Sequence, residues 1–576
     1  MSRRDYRVSE LVDMIERGTL QLPEMQRQYV WTQTKVRDLL DSLYRGYPSG
    51  LILTWQAPRD ANVETREFAV DANKDKSDAS LLLLDGQQRL TSLSSVLRGE
   101  PVTVKFRKTP VEILFNLDHP NELTFITEVN DDVESDEDAD DTDESDLDPM
   151  EKVNRRAFVV ASNPVLALSN WVKVTDVFTN PDLAILKQTG VVSGENDDNL
   201  IIHDGKRYAL YTKRLEQLRG IRNYIYRAEE LEPDKSYEEV TEIFVRVNSL
   251  GARLRGSDLA LAQITAKWKG SLDKFINYQT RVRGLGFDLD LGVDIRAMVA
   301  VITGQSKFLT VGSLGKIALE QGWERTQRVF DFAVDFALRN LRIDSPALLS
   351  SPMLLVTTAF WAHKRDLSID PDEAAAYRTW FLIANAKGRY SRGSSESLLD
   401  QDLAVLRGGG GAEGLTNLLA AQFGRLDVAP GDLINRTSRS GLFKSMFLLF
   451  KENGAEDWAT SLQISPKHAN RADKIDFHHV FPQAFLRDQR KDLTDREIND
   501  IANLAFIGST TNQAIKAKAP SDYRHDYPKS ALESQLVRFD EWGDKPEDYE
   551  GFLIGRREEI ARALNAFFGL RSEGGA

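Results

Sequence analysis

The hydrophobic pattern of the chain is clearest at Leu81–Leu90, which reads LLLLDGQQRL. Four consecutive leucines predict a buried β-strand that ends at Asp85. Beyond Gly86, apolar residues recur at helical spacing, at Leu90, Leu93, Val96 and Leu97. A strand, a glycine turn and a helix start would place polar groups at a sheet edge, where helix N-terminal amides also point. These groups are Asp85, Gln87, Gln88 and Arg89. The local pattern fits a structural Asp–Arg pair as well as a ligand site.

The rest of the pattern mixes strands and helices. Further strands are predicted at Leu51–Trp55, Val102–Phe106 and Ile113–Asn116. Ser236 with Glu239, and Thr494 with Glu497, have the spacing of capping boxes that start helices. The segment 295–425 is mostly helical in pattern, and Gly408–Gly411 is interpreted as a flexible loop or a domain joint.

The fold class predicted from this pattern is a multi-domain α+β protein with a mostly helical middle. Its 576 residues are enough for two or three domains, each with its own core. We divide the chain into 1–265, a helical connector at 266–425 and a C-terminal domain at 426–576. The acidic run 131–148 is interpreted as a disordered insertion in the first domain.

Composition narrows the chemistry. The absence of cysteine excludes disulfides and thiolate metal sites, so a metal must bind His, Asp, Glu or Asn. The formal net charge is −14, but residues 131–148 contain twelve acidic and no basic residues, which leaves −2 for the remainder. Bulk charge therefore neither supports nor excludes DNA as a partner. The sequence contains no apolar run typical of a membrane helix or a signal peptide, so a cytoplasmic protein without a membrane partner is expected.

A second constellation lies near the C-terminal end. Ile475–Pro482 reads IDFHHVFP, a short apolar strand with two adjacent histidines. Asn503 then precedes a strand-like segment, and Asn512 is expected to open a short helix that holds Lys516 and Lys518. This order resembles the ββα-metal unit of HNH nucleases over about residues 475–523.

The resemblance implies a role for each matching residue. His479 corresponds to the general base that activates water, and Asn503 to the residue that orients this base. His478 and Asn512 fall at the two metal-ligand positions. Many HNH nucleases have Asp or Glu before the base and His at the last position. This chain has His and Asn there, which leaves the metal open, with Mg²⁺ or Mn²⁺ expected ahead of Zn²⁺. Lys516 and Lys518 would bind DNA phosphate, or would be ordinary exposed helix lysines.

The N-terminal half carries a second resemblance. The motifs QRQYVW, LDGQQRLTSL and IFVRVNSLGARL are similar to the ParB-like N-terminal domain of the GmrSD family of modification-dependent restriction enzymes. The resemblance implies binding and hydrolysis of GTP or ATP, and recognition of modified DNA. Asp85 and Arg89 would be catalytic in hydrolysis. Nucleotide or modification binding would fall to Gln26, Arg27, Tyr29, Gln87, Gln88, Arg246 and Asn248. No P-loop motif is present.

Together these resemblances predict an anti-phage DNA endonuclease that nicks or cuts modified or phage DNA under the control of a nucleoside triphosphate. Related proteins include phosphorothioate-sensing effectors, and the chain is a possible homo-oligomer. One alternative is a nucleotide-dependent reader or clamp on modified DNA with a degenerate nuclease. Another is a toxin-like nuclease that acts on RNA or host DNA.

Overall fold

The computed structural model describes most of the chain. The described residues are 2–24, 31–58, 65–66, 81–104, 110–120, 153–194, 199–250, 256–391, 393–465 and 475–570. The acidic run 131–148 lies outside them. The chain is a mixed α+β protein, as predicted, and it divides into two compact units, Met1–Leu254 and Arg255–Ala576.

A six-stranded mixed sheet forms the centre of the first unit, with strand order β1-β11-β3-β5-β2-β4. The predicted strand of four leucines is β5, which lies inside this sheet between β3 and β2. Smaller sheets are β7-β6-β8 and the hairpin β9-β10. The strand bounds are β1 (Ser2–Arg7), β2 (Leu20–Pro23), β3 (Ile52–Trp55), β4 (Thr65–Arg66), β5 (Leu81–Asp85), β6 (Ile113–Asn116), β7 (Phe158–Val160), β8 (Trp171–Lys173), β9 (Val192–Ser193), β10 (Ile201–Ile202) and β11 (Ile225–Leu231).

Helices of the first unit pack their apolar faces on these strands. The helix predicted after Gly86 is α3, and its leucines are buried. The strand expected at Val102–Phe106 is reduced, within the described residues, to one bridge between Val102 and Val111. The helix bounds are α1 (Val8–Glu16), α2 (Gln33–Tyr44), α3 (Gln87–Leu97), α4 (Asn163–Leu166), α5 (Val174–Thr179), α6 (Asp182–Gln188), α7 (Gly205–Arg219) and α8 (Tyr237–Leu250).

The second unit is mostly helical, as its periodicity predicts. Its larger helices are α9 (Gly256–Lys267), α10 (Ser271–Gly284), α11 (Leu291–Thr303), α12 (Lys316–Asn340), α13 (Met353–Lys364), α14 (Pro371–Lys387), α15 (Ser395–Arg407), α16 (Gly411–Phe423), α17 (Gly441–Glu452) and α24 (Tyr549–Phe567). Shorter helices are α18 (Gln483–Gln489), α19 (Asp495–Ile498), α20 (Ser509–Ile515), α21 (Pro520–Tyr523), α22 (Lys529–Glu533) and α23 (Phe539–Trp542). Among the described helices, none combines the length and the apolar character needed to span a membrane.

One hydrophobic core runs through the second unit, from α9 to α24. The predicted connector, 266–425, and the predicted C-terminal domain, 426–576, both contribute to it. Their backbones meet at Gly441, where an added Cβ would lie 2.1 Å from the Asn385 carbonyl oxygen. The glycine run 408–411 is a tight turn between α15 and α16 inside this unit, so it is not a domain joint.

The strand pair β12 (Ile475–His479) and β13 (Leu504–Gly508) is antiparallel and packs into the same core. Helix α20 follows β13 directly, which gives a strand–strand–helix unit. The Thr494–Glu497 capping box between the two strands is confirmed, with Thr494 N–H donating to the Glu497 carboxylate at 2.8 Å.

Candidate active site

The two histidines are the last residues of β12, and Asn512 lies on the neighbouring helix α20. The sequence predicts Asn512 at the start of its helix, but α20 begins three residues earlier, at Ser509. Asn512 therefore lies one turn inside the helix, where its side chain reaches β12. Because adjacent residues on a strand point to opposite faces, His478 and His479 contact different groups.

His478 faces Asn512 from a buried position. It is 2% exposed, and its Nδ1 donates to the Asn512 carbonyl oxygen Oδ1 at 2.8 Å. Its Nε2 is buried and has no hydrogen-bond partner among the described residues. The rings of Trp458 and Tyr523 meet the imidazole edge to face, with centroids 5.4 and 5.9 Å away. Burial lowers the pKa of His478 to about 4, so the ring is neutral at pH 7.

His479 is partly buried and lies against two amide side chains. Its Nε2 lies 2.9 Å from Asn499 Oδ1 and 3.1 Å from Gln483 Nε2. Gln483 also donates to the same Asn499 oxygen at 2.5 Å. Burial lowers the pKa of His479 below its usual value. Neither Asn499 nor Gln483 is singled out by the sequence analysis, since nothing local in their surroundings points to this contact.

The side chain of Asn503 is hydrogen-bonded to main-chain groups. It is fully buried, accepts from Phe481 N–H at 2.8 Å, and donates to the carbonyl oxygens of Phe481 and Ile498 at 3.0 Å each. It thus fixes the chain just after the histidine pair. The implied direct contact with the His479 ring is made by Asn499 instead.

Asp457 anchors the helix that carries Asn512. It is 3% exposed and accepts from Gly508 N–H at 2.6 Å and from Thr511 Oγ1 at 2.9 Å. It also accepts from the backbone and hydroxyl of Thr460, both at 2.8 Å. Gly508 is the N-cap of α20, so this one carboxylate sets where the helix begins.

We expect Asp457 to make the second unit sensitive to acid. Burial acts to raise the pKa of Asp457, but hydrogen bonds from Gly508, Thr460 and Thr511 outweigh it, and the pKa lies below its usual value. A carboxylate with a lowered folded-state pKa stabilises the fold above its unfolded pKa, and this stabilisation is lost as pH falls from about 5. Lowering the pH from 6 to 3 should therefore reduce the free energy of unfolding, measured with urea, more for wild type than for Asp457→Asn. Equal losses in both proteins would contradict the anchoring role.

The donors around Asn512 fit a divalent cation. Within the described residues no group of three or more His, Asp or Glu side chains comes together, so an ion here would also need amide oxygen. His478 Nδ1 and Asn512 Oδ1 lie 2.8 Å apart. Adjacent ligands of an octahedral ion with bonds of about 2.1 Å are separated by about 3 Å. The two predicted metal residues therefore have a suitable spacing, but binding through His478 Nδ1 requires the ring proton to be on Nε2, which has no hydrogen-bond partner among the described residues.

Both predicted DNA-binding lysines lie beyond the end of α20, not within it. Lys516 is exposed and has a positive φ of 52°, directly after the last helical residue. Lys518 is exposed as well, and its Nζ lies 3.7 Å from the Asp526 carboxylate.

The Asp85–Arg89 turn in the first unit has the predicted strand–glycine–helix form. Gly86 is left-handed, with φ of 101°, and is the N-cap of α3. Arg89 Nη1 donates to the Ser49 carbonyl at 2.5 Å, and Nη2 donates to the Leu51 carbonyl at 2.6 Å and to Asp85 at 3.3 Å. The guanidinium thus ties this turn to the loop before β3, which favours the structural interpretation of the Asp–Arg pair.

The two glutamines of the turn differ in their surroundings. Gln87 is 8% exposed, and its Oε1 is buried without a hydrogen-bond partner among the described residues. Gln88 accepts from Trp31 N–H at 3.2 Å. Three predicted pocket residues lie outside the described part of the chain, namely Gln26, Arg27 and Tyr29.

Arg246 and Asn248 occupy the last turns of α8. The exposed Arg246 guanidinium donates to the Glu242 carboxylate one turn earlier, at 2.6 and 3.0 Å. The side chain of Asn248 lies outside the described residues. Their place in a nucleotide pocket stays a prediction.

Substitution of Gly50 tests whether Arg89 stabilises the loop to which it is hydrogen-bonded. Its φ is +95°, and an added Cβ would lie 2.5 Å from Arg89 Nη1. Gly46 is a matched control, with φ of +73° and nothing within 4 Å of an added Cβ. We expect Gly46→Ala to cost about 1 kcal/mol from its backbone alone, and Gly50→Ala about 2–3 kcal/mol because the guanidinium must also move. Urea denaturation measures both, and equal costs would show that Arg89 does not hold this loop.

Both regions of the chain match models of a single protein family. The model described as "GmrSD restriction endonuclease, N-terminal domain" matches residues 8–265, and that described as "GmrSD restriction endonucleases, C-terminal domain" matches residues 428–563. The chain belongs to the GmrSD restriction endonuclease family. The Asp85–Arg89 turn lies in its GmrSD N-terminal domain, and the histidine pair lies in its GmrSD C-terminal domain.

One relative is similar to this chain over most of its length. An uncharacterized protein of Methanocaldococcus jannaschii is 23% identical over 563 residues, which cover 89% of this chain and 86% of that protein. The uncovered tenth is shorter than either GmrSD segment, so the similarity reaches into both.

Proposed function

We propose that this GmrSD protein is a metal-dependent, HNH-type DNA endonuclease in which His479 is the general base. The observation that carries the proposal is the strand–strand–helix unit that brings His478 into contact with Asn512, while His479, the next residue of β12, contacts Asn499. One imidazole is buried against a possible metal ligand, while its neighbour is only partly buried and held by Asn499. The His478 ring therefore suits binding of a cation, and the His479 ring suits activation of a water molecule.

The hydrogen bonds of His479 select one tautomer. Asn499 Oδ1 only accepts, and it lies within hydrogen-bond distance of both His479 Nε2 and Gln483 Nε2. The consistent assignment places a proton on His479 Nε2, which donates to Asn499. Nδ1 then keeps its lone pair and has no hydrogen-bond partner among the described residues. This nitrogen would take the proton of the attacking water.

His478 and Asn512 would hold Mg²⁺ or Mn²⁺. When bound, such an ion would neutralise the charge that develops on the scissile phosphate. The protein supplies the neutral imidazole, the amide oxygen and the aromatic walls that keep the His478 ring in place. Lys516 is exposed just after α20 and suits a contact with the DNA backbone. Lys518 is close enough to Asp526 that its charge is partly compensated.

For the first unit we propose regulation by GTP or ATP and sensing of modified DNA, with Asp85, Gln87 and Gln88 facing the ligand. Support comes from the buried side-chain oxygen Oε1 of Gln87, which has no hydrogen-bond partner among the described residues, and from the partly exposed Asp85 at the end of β5. Arg89 would act there by fixing the turn, since its guanidinium is bonded to two carbonyls and to Asp85.

A nicking assay on supercoiled plasmid tests the proposal. The full-length protein is incubated with Mg²⁺, Mn²⁺ or EDTA, on unmodified, glucosylated and phosphorothioate DNA, with and without GTP or ATP. We expect metal-dependent nicking or linearisation that EDTA abolishes, and that depends on the nucleotide or on the modification. Binding of modified DNA with no cleavage under any condition would favour the reader with a degenerate nuclease. Cleavage of RNA alone would favour the toxin-like nuclease.

A further inference from the structure

Asp476 shares a face of β12 with His478. Side chains two residues apart on a strand point the same way, and Asp476 precedes His478 by two. The strand pairs regularly with β13 from Ile475 to His479, so no bulge breaks this alternation. Helix α20 brings Asn512 over the same face.

The Asn512 carboxamide joins the two strand residues. Its Oδ1 accepts from His478 Nδ1 at 2.8 Å, and its Nδ2 donates to Asp476 Oδ2 at 3.2 Å. A carboxylate, an imidazole and an amide thus form one connected group. Among the described residues, Asp476 has no other hydrogen bond and no ion pair, so its charge is not compensated there.

Charge is what the two predicted metal ligands lack. Neither His478 nor Asn512 supplies a negative charge, whereas Mg²⁺ and Mn²⁺ are bound in proteins chiefly by carboxylate oxygen. Asp476 is half-buried, so its carboxylate is partly removed from water but remains open on one side. The edge-on rings of Trp458 and Tyr523 back His478, so its Nδ1 keeps facing the amide.

We propose that Asp476 is a third ligand of the divalent cation, and the one that supplies the negative charge. The inference rests on the proposed metal-dependent function and extends it to a residue outside the two metal-ligand positions of the HNH resemblance. In this chain His478, and not an acidic residue, precedes the proposed base. Asp476, two residues earlier on the same face of β12, would supply the missing carboxylate.

Binding of Mn²⁺ to the full-length protein without DNA tests the inference. Electron paramagnetic resonance of free Mn²⁺, or isothermal titration calorimetry, gives the dissociation constant. We expect Asp476→Asn to weaken Mn²⁺ binding by about 10–100-fold or more, since loss of an outer-shell partner alone costs that much. Asp476→Glu keeps the charge and should retain more affinity than Asp476→Asn.

Asp488→Asn is the matched control. Asp488 is exposed on α18, and its described hydrogen bond is with the neighbouring Gln489. This variant removes the same charge and should bind Mn²⁺ as the wild type does. Thermal unfolding without metal should be alike in all variants, because Asn at 476 still accepts from Asn512.

The outcomes separate the two proposals. Equal Mn²⁺ affinity in wild type and Asp476→Asn would overturn the Asp476 assignment and leave the metal-dependent nuclease standing. No Mn²⁺ binding by the wild type would overturn both. Weakening by Asp488→Asn as large as that by Asp476→Asn would also overturn the assignment, since it would reduce the effect to general charge.

Discussion

Replacing His479 with alanine is expected to lower DNA cleavage by about 10²–10⁴-fold, the usual contribution of a general base. The variant removes the imidazole whose Nε2 donates to Asn499. DNA affinity, and the nucleotide hydrolysis proposed for the first unit, should be unchanged, because the ring is only partly buried at the end of β12. Single-turnover cleavage of end-labelled DNA measures the rate, and a gel-shift assay measures binding.

His525→Ala is the control for this loss. His525 is exposed in the same unit, so its replacement removes an imidazole without touching the pair. Asn499→Ala should give an intermediate loss with unchanged DNA affinity, because the ring remains but is no longer oriented. Wild-type cleavage by His479→Ala would refute the assignment of the base.

Asp402→Ala should destabilise the second unit by about 3–5 kcal/mol, since it leaves a buried cation without its partner. Asp402 and Arg389 are 0% and 1% exposed, and their side chains are joined at 2.8 and 3.2 Å. Tyr390 OH also donates to this carboxylate at 2.6 Å. Although Asp402 is remote in sequence from the histidines, the shared core predicts that nuclease activity will be lost at the same lower temperature.

Circular dichroism and residual plasmid nicking after heating measure this coupling. Glu413→Ala on the exposed side of α16 is the control and should change stability by less than about 0.5 kcal/mol. In Asp402→Ala the melting temperature seen by circular dichroism could fall while the nuclease is still inactivated at its wild-type temperature. That result would show that 256–425 and 426–570 unfold separately.

Local signals in the sequence predicted local structure well. The strand and helix around Gly86, and the caps at Ser236 and Thr494, depend on residues a few positions apart, and the structure has them. The start of α20 was misplaced because it depends on Asp457, which precedes Gly508 by 51 residues. A contact across that distance leaves no trace in periodicity.

The sequence indicated which residues form the site better than it indicated the hydrogen bonds between them. The resemblance supplied the histidine pair, Asn503 and Asn512, but their bonding partners come from separate turns and helices. Asn499 follows His479 by 20 residues and reaches it only because the intervening chain folds back. Asp476 could have been noticed from the alternation along β12, since it stands two residues before His478.

The joint core of the second unit limits how the nuclease can be set free. A fragment beginning at residue 426 would lose α14, whose backbone meets α17 at Gly441, and would expose the apolar side of α17 to water. Such a fragment should aggregate when expressed by itself. Proteolytic clipping near residue 425 is therefore a poor way for a cell to release an active DNA-cutting fragment.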